Sequence, residues 1–180
     1  MKKFLLAVVM TASAFYMNAQ EARSNAIKLN PLSLVFATGN VSYERAVNEN
    51  QSFQFGVFYS GLSISGIKYS GLGLTPEYRF YFGGAKEALN GVYAAPFLRY
   101  QSFKLTEKET SDKTTFSSFG GGATIGWQKM WNSGFVLDLF AGPSYNAGKF
   151  KNSSDEDEFD VSGAINGFGL RTGVTIGFGF

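Results

Sequence analysis

From about residue 26 to Phe180, apolar residues alternate with small or polar ones at a period of two, in segments separated by turn-forming stretches. That period suits a β-strand with two unlike faces and does not suit an α-helix, whose period is 3.6. The 22 glycines deepen the exclusion, because each costs a helix interior about 1 kcal/mol. The 19 Phe, 9 Tyr and 2 Trp exclude a disordered chain. At 180 residues there is room for one ordinary domain. Eight antiparallel strands are expected, roughly over 26–36, 41–47, 51–60, 72–82, 91–103, 116–131, 135–146 and 164–180.

The first residues read differently. Lys2 and Lys3 precede an apolar run from Phe4 to Met10, followed by small residues up to Asn18-Ala19-Gln20. This is the pattern of a secretory signal peptide over 1–19, with cleavage after Ala19 and an unusual Met17 at −3, leaving a barrel domain over 20–180. Losing Lys2 and Lys3 from the 16 basic residues leaves 14 against 14 acidic ones, a balance that argues against nucleic acid as a partner. No later run reaches the roughly eighteen apolar residues of a membrane-crossing helix. An exported chain of this kind is either soluble or inserted as a closed barrel.

The connections favour the second. Asn48-Glu49-Asn50 and Asn132-Ser133-Gly134 read as tight turns and Gly83 to Asn90 as a moderate one, while Gly61–Gly71, Lys104–Thr115 and Lys149–Gly163 read as longer polar loops. Of the loops on that second side only Ala37 to Asn40 is short. Such sorting is the asymmetry of transmembrane β-barrels, with short periplasmic turns and long outer loops.

The last segment assigns the faces most clearly. Phe168, Leu170, Thr172, Val174, Ile176, Phe178 and Phe180 fall on one side, and Gly169, Arg171, Gly173, Thr175, Gly177 and Gly179 on the other. The same register puts Phe53, Phe55, Val57 and Tyr59 outward, with Leu72, Leu74, Pro76, Tyr78, Phe80 and Phe82 in the next strand and Phe135, Leu137, Leu139, Ala141 and Tyr145 in a later one. Trp127 and Trp131, with Lys129 between them, sit where an interfacial girdle is expected. Inward fall Glu44, Glu77, Arg79, Arg99, Asp138 and Arg171, three acids and three bases. An eight-stranded barrel is filled by its interior side chains, so these charges are expected to pair as a closed structural network. A pore selective for one sign of ion would carry an excess of the other. Inward glycines, Gly56, Gly73, Gly120, Gly122, Gly126, Gly142, Gly173 and Gly177, are expected to make room for long Arg side chains.

Leader, strands, sorted loops and terminal Phe180 resemble the small outer-membrane barrels typified by OmpX and the OmpA membrane domain. More narrowly, the blocks Asn25 to Leu32, Ser42-Tyr43-Glu44-Arg45, Thr75-Pro76-Glu77-Tyr78-Arg79 and Phe135-Val136-Leu137-Asp138 resemble an uncharacterised family of exported bacterial proteins expected to form such barrels, with no assigned activity. The resemblance implies residence in the bacterial outer membrane. It also implies that Val174, Ile176, Phe178 and Phe180 act as a C-terminal insertion signal read by the assembly machinery, and that outer-membrane lipid and lipopolysaccharide are the immediate partners.

Candidate chemistry is thin. The small barrels that are enzymes, lipid A deacylases and palmitoyl transferases, use His with Ser, and this chain has no His and no Cys. No catalytic residue, cofactor or metal site is expected. The run Asp155-Glu156-Asp157-Glu158 lacks the spaced ligands and Gly of an EF-hand. With Lys104, Lys108 and Lys113 it reads as a set of surface contacts, through divalent cations or directly to lipid phosphates. The expected function is a non-enzymatic outer-membrane barrel with a closed, salt-bridged lumen and a structural or surface-interaction role. The alternatives are a narrow channel or conduit for small apolar solutes, as in OmpW-like barrels, and a soluble periplasmic lipocalin-like barrel.

Overall fold

The computed structural model describes residues 23–64, 67–107, 113–152 and 167–180. The expected leader over 1–19, Lys108 and the run Asp155 to Glu158 lie outside the described residues, and for Lys113 only its place in a strand is described. Eight strands close into one barrel: β1 Asn25–Leu29, β2 Thr38–Asn48, β3 Gln51–Ile64, β4 Ile67–Glu87, β5 Asn90–Glu107, β6 Lys113–Met130, β7 Phe135–Asn152 and β8 Gly167–Gly179. Each strand pairs antiparallel with the next. β1 closes the sheet against β8, from Ala26↔Gly179 to Leu29↔Ile176. The expected all-β, eight-stranded antiparallel up-and-down barrel is therefore the fold.

Several boundaries differ from expectation for local reasons. The first strand stops at Leu29 instead of running to residue 36, because Pro31 has no N–H to give a ladder. Residues Pro31–Phe36 form a 3-10 helix instead, capped when the Asn30 side chain accepts from the Ser33 N–H at 3.2 Å and ended by Ala37 in the left-handed region at φ 50°. The stretch 61–71 is not a long loop. β3 and β4 stay paired out to Ile64↔Ile67, since a hairpin ladder needs only backbone groups and continues after the apolar side chains end. β5 and β7 likewise run on, to Glu107 and Asn152.

One end of the barrel carries the turns at 49–50, 88–89 and 131–134 together with the start of β1 and the end of β8. There the Arg23 guanidinium donates to the carbonyl oxygens of Trp131 at 3.1 Å and Asn132 at 2.7 Å, tying the segment before β1 to the β6–β7 turn.

The expected faces hold. Phe53, Phe55, Tyr59, Leu72, Phe80, Phe82, Phe135, Leu139, Tyr145, Phe168, Leu170, Ile176 and Phe178 are exposed on the outer wall, while Glu44, Glu77, Arg79 and Asp138 are buried inside. Tyr59, Tyr100 and Tyr145 mark one rim of this apolar wall, Trp127 and Trp131 the other. Phe135 and Tyr145 lie ten residues apart on β7, about 33 Å along a strand and about 25 Å along the axis at the usual tilt. Past the tyrosine rim the outward positions of β5 and β6 turn polar, with Ser102, Lys104, Thr115 and Ser117.

The interior is not only small and charged, contrary to the reading from composition. Phe58, Tyr81, Tyr93, Phe97, Phe103, Phe116 and Phe140 also point inward, and the inward glycines accommodate these rings and close backbone rather than Arg side chains. A Cβ on Gly126 would lie 2.3 Å from the Tyr93 ring, and Gly73 and Gly71 are covered in the same way by Phe58 and Phe103. At Gly142 the neighbour is backbone, the Ala123 carbonyl oxygen at 2.0 Å.

Three prolines interrupt the ladder at mid-height. Between β4 and β5 the pairs are Leu74↔Tyr100, Glu77↔Phe97 and Phe80↔Ala94, and the positions between them, which hold Pro76 and Pro96, do not pair. Pro143 leaves a similar break between Gly122↔Ser144 and Ile125↔Ala141. Each proline lacks the N–H that the ladder needs.

Packing at the glycines is directly testable. Gly142→Ala is expected to destabilise the barrel by about 1–3 kcal/mol, because its methyl meets backbone that cannot rotate away, whereas Gly56→Ala makes only ordinary contacts, the nearest at 3.6 Å, and is expected to be near neutral. Urea unfolding followed by fluorescence of Trp127 and Trp131 measures both.

Candidate functional site

The charged inward residues form a hub in the half of the lumen nearer the turn end, to which every strand contributes. Its centre is two cations. The Lys28 ammonium on β1 donates to Glu44 Oε2 at 2.5 Å, Gln128 Oε1 at 2.6 Å and Asp138 Oδ2 at 2.9 Å, so all three of its donors are used. The Arg79 guanidinium on β4 donates through Nε to Glu77 Oε1 at 2.6 Å and through Nη1 to Gln128 Oε1 and Asp138 Oδ2, both at 2.9 Å. A longer contact of 3.4 Å joins Nη1 to Glu44 Oε2. Its flat face lies 4.2 Å from the centre of the Tyr93 ring, a cation–π contact that suits a guanidinium.

Hydroxyls complete the carboxylates. Glu44 Oε1 accepts from Ser52 Oγ on β3 and from the Tyr81 hydroxyl at 2.6 Å. Asp138 on β7 accepts from the Tyr93 hydroxyl on β5 at 2.8 Å and, more weakly, from Thr175 on β8 at 3.5 Å. Gln128 on β6 turns its amide to the Leu89 carbonyl oxygen at 3.1 Å, fixing the hub to the β4–β5 turn. Glu77 is shared, since its Oε2 accepts from Arg171 Nη1 at 2.5 Å.

Of the six charges expected inside, Glu44, Glu77, Arg79, Asp138 and Arg171 are brought together and Arg99 stands apart. Arg99 has no ion pair among the described residues. Its Nε donates to Thr75 Oγ1 at 3.4 Å. The balance of three against three is corrected by Lys28, fully buried, which makes four cations to three carboxylates. Its signal was present, because Ile27 and Leu29 on either side are outward residues, so period two places Lys28 inside. Ser52, Tyr81, Tyr93, Gln128 and Thr175 could not be ranked from sequence, since a polar residue at an inward position does not reveal its partner.

The outward candidates remain dispersed. Val174, Ile176 and Phe178 lie on the outer face of β8, and the chain past it is held by Phe180 N–H donating to the Asn25 carbonyl oxygen at 2.8 Å. Lys104 is exposed on β5 near the end opposite the turns. Among the described residues no group of three or more Asp and Glu is placed to hold a metal ion. In the hub every carboxylate oxygen already accepts from a cation or a hydroxyl, so the arrangement suits holding strands together.

A small closed barrel whose buried interior is ionic and whose wall is apolar is the class that fold and site define. The chain belongs to the family described as "Protein of unknown function (DUF3575)", whose model matches residues 4–162. No curated protein and no solved structure matches it.

Removing one member of a buried pair strands its partner. Lys28→Met leaves Glu44 and Asp138 without the ammonium and is expected to cost about 3–5 kcal/mol, against a much smaller loss for Arg99→Gln, which breaks no ion pair. Urea denaturation of the refolded variants side by side checks the order.

Proposed function

We propose that this chain is an integral barrel of the bacterial outer membrane, similar in plan to OmpX, without enzymatic activity, its lumen closed by the hub and its action structural or exerted through the outer hairpins and loops. The observation that carries the reading is the inversion of the usual soluble arrangement: Phe168, Leu170, Ile125 and Phe119 are exposed on the wall while Lys28, Glu44, Arg79 and Asp138 are fully buried. In water such a wall is a large apolar patch of the kind soluble monomers avoid. Against hydrocarbon it is favourable, and a closed sheet satisfies backbone groups that lipid cannot. An apolar belt about 25 Å tall between aromatic rims matches the thickness of a membrane. The leader-like residues 2–19 support export.

A lipocalin-like carrier would line its interior with apolar groups, which the hub does not provide. The closed lumen is supported by Arg79, which reaches Glu44, Glu77 and Asp138 on three different strands. The hairpins β3–β4 and β5–β6 and the segment between β7 and β8, with Lys104, Lys108, Lys113 and Asp155 to Glu158 among their residues, supply the contacts to lipopolysaccharide or to an extracellular partner.

The full chain expressed in a Gram-negative host is expected in the outer-membrane fraction, with gel mobility that changes on boiling. Recovery in the soluble fraction with no mobility change would overturn the membrane reading. In planar bilayers the refolded protein is expected to give no steady conductance steps, and such steps would favour the channel.

A further inference from the structure

Above the hub, the cations exceed the acids that could neutralise them. Arg171 gives one nitrogen to Glu77, which also serves Arg79, and Arg99 pairs with no carboxylate among the described residues. The two guanidinium groups nevertheless converge, lying 4.3 and 5.8 Å from the centre of one ring, Phe97. Arg171 also lies 4.8 Å from Phe140 and its side chain is only 9% exposed. Two like charges held side by side in a poorly solvated space are costly unless an anion joins them.

A second observation points to the same place. Ser118, 3% exposed and inward on β6, has a hydroxyl with no hydrogen-bond partner. It lies across from Gln101 on β5, next inward neighbour of Arg99. Further toward the outer end the lumen is lined by Phe58, Phe103 and Phe116, with ring centres 6.1 and 6.5 Å apart. A cationic floor, a free hydroxyl and an aromatic collar are arranged in that order along the axis.

We propose that Arg99 and Arg171, with Ser118, bind an anionic head group of the carboxylate or phosphate-monoester class inside the barrel, above the hub. Bidentate guanidinium contacts suit both groups. The site stands whether or not the wall faces lipid, so it extends the function proposed above without resting on it. Two sources share the chemistry. A small soluble anion enters from the outer end. An amphiphile places its chain along the aromatic collar or at the β4–β5 seam, where Pro76 and Pro96 break the ladder and the Arg99–Thr75 hydrogen bond is a polar link between the strands.

The test uses the full chain refolded in neutral maltoside micelles, with the Nε–Hε signals of Arg99 and Arg171 followed by nuclear magnetic resonance during titration with inorganic phosphate and, separately, with dodecyl phosphate. Saturable shifts of both signals are expected. In Arg99→Gln the Arg171 signal should report binding about tenfold weaker or worse, with Arg99→Lys partly restoring it. Ser118→Ala, which removes no existing hydrogen bond, should weaken binding while leaving gel mobility before and after boiling unchanged, and it serves if Arg99→Gln does not refold. Saturation by phosphate assigns a soluble anion, and saturation by dodecyl phosphate alone assigns an amphiphile. Shifts that rise linearly without saturating for both probes, or equal affinity in all variants, would overturn the site. Soluble recovery of the protein would overturn the membrane reading and leave this titration unaffected.

Discussion

The barrel depends on the joint neutralisation of Lys28 and Arg79 by Glu44, Glu77 and Asp138. Each of these groups is fully or almost fully buried, so each would carry a large desolvation cost if left alone. No single strand holds both a full set of donors and a full set of acceptors. Lys28 comes from β1, Glu44 from β2, Ser52 from β3, Glu77 and Arg79 from β4, Tyr93 from β5, Gln128 from β6, Asp138 from β7 and Arg171 from β8. The network therefore forms only when the sheet has closed in the correct register. A slip of one residue would turn a hub member to the outer wall. The polar interior thus selects one barrel among the many that an alternating sequence could form.

The remaining interior volume is divided by chemistry. Near the turn end the charges and hydroxyls fill the lumen, whereas toward the other end phenylalanine rings do so, laid over glycines on neighbouring strands. A ring covering a glycine restores the contact area that the missing side chain gives up, and it lets strands bend tightly where a Cβ would collide. The closed barrel thus offers two kinds of interior surface to anything that enters it.

Much of this was legible in the sequence because period two is a strong signal when both faces are chemically distinct. β8 shows this most plainly, with large apolar residues alternating against Gly, Arg and Thr. The inward positions of five hub charges followed from the same count. Lys28 was missed because β1 has only five residues, too short for its alternation to stand out beside the proline that ends it. The inward aromatics were missed for a different reason. Hydrophobicity alone assigns Phe to the apolar face, and only the cross-strand register, which places Phe58 over Gly73 and Tyr93 over Gly126, reveals that an inward Phe or Tyr has a glycine waiting for it. Hairpin length was illegible because pairing beyond the apolar band uses backbone groups and leaves no periodic trace in composition.

The three wall prolines bear on mechanics as well as pairing. Pro76, Pro96 and Pro143 lie on the outer face, and the ladder breaks beside all three. Around them the outward residues Ala94, Ala123 and Ala141 are also small, so the wall is both thin and sparsely bonded there. Along the β4–β5 seam pairing is continuous from Ile67↔Glu107 to Leu74↔Tyr100 and again from Phe80↔Ala94 to Phe82↔Val92, so the stretch between them is the compliant part of that seam. A load applied to the outer hairpins would be absorbed first as flexure between β4 and β5, in the stretch of β4 that carries Glu77 and Arg79, so the hub is what limits that flexure.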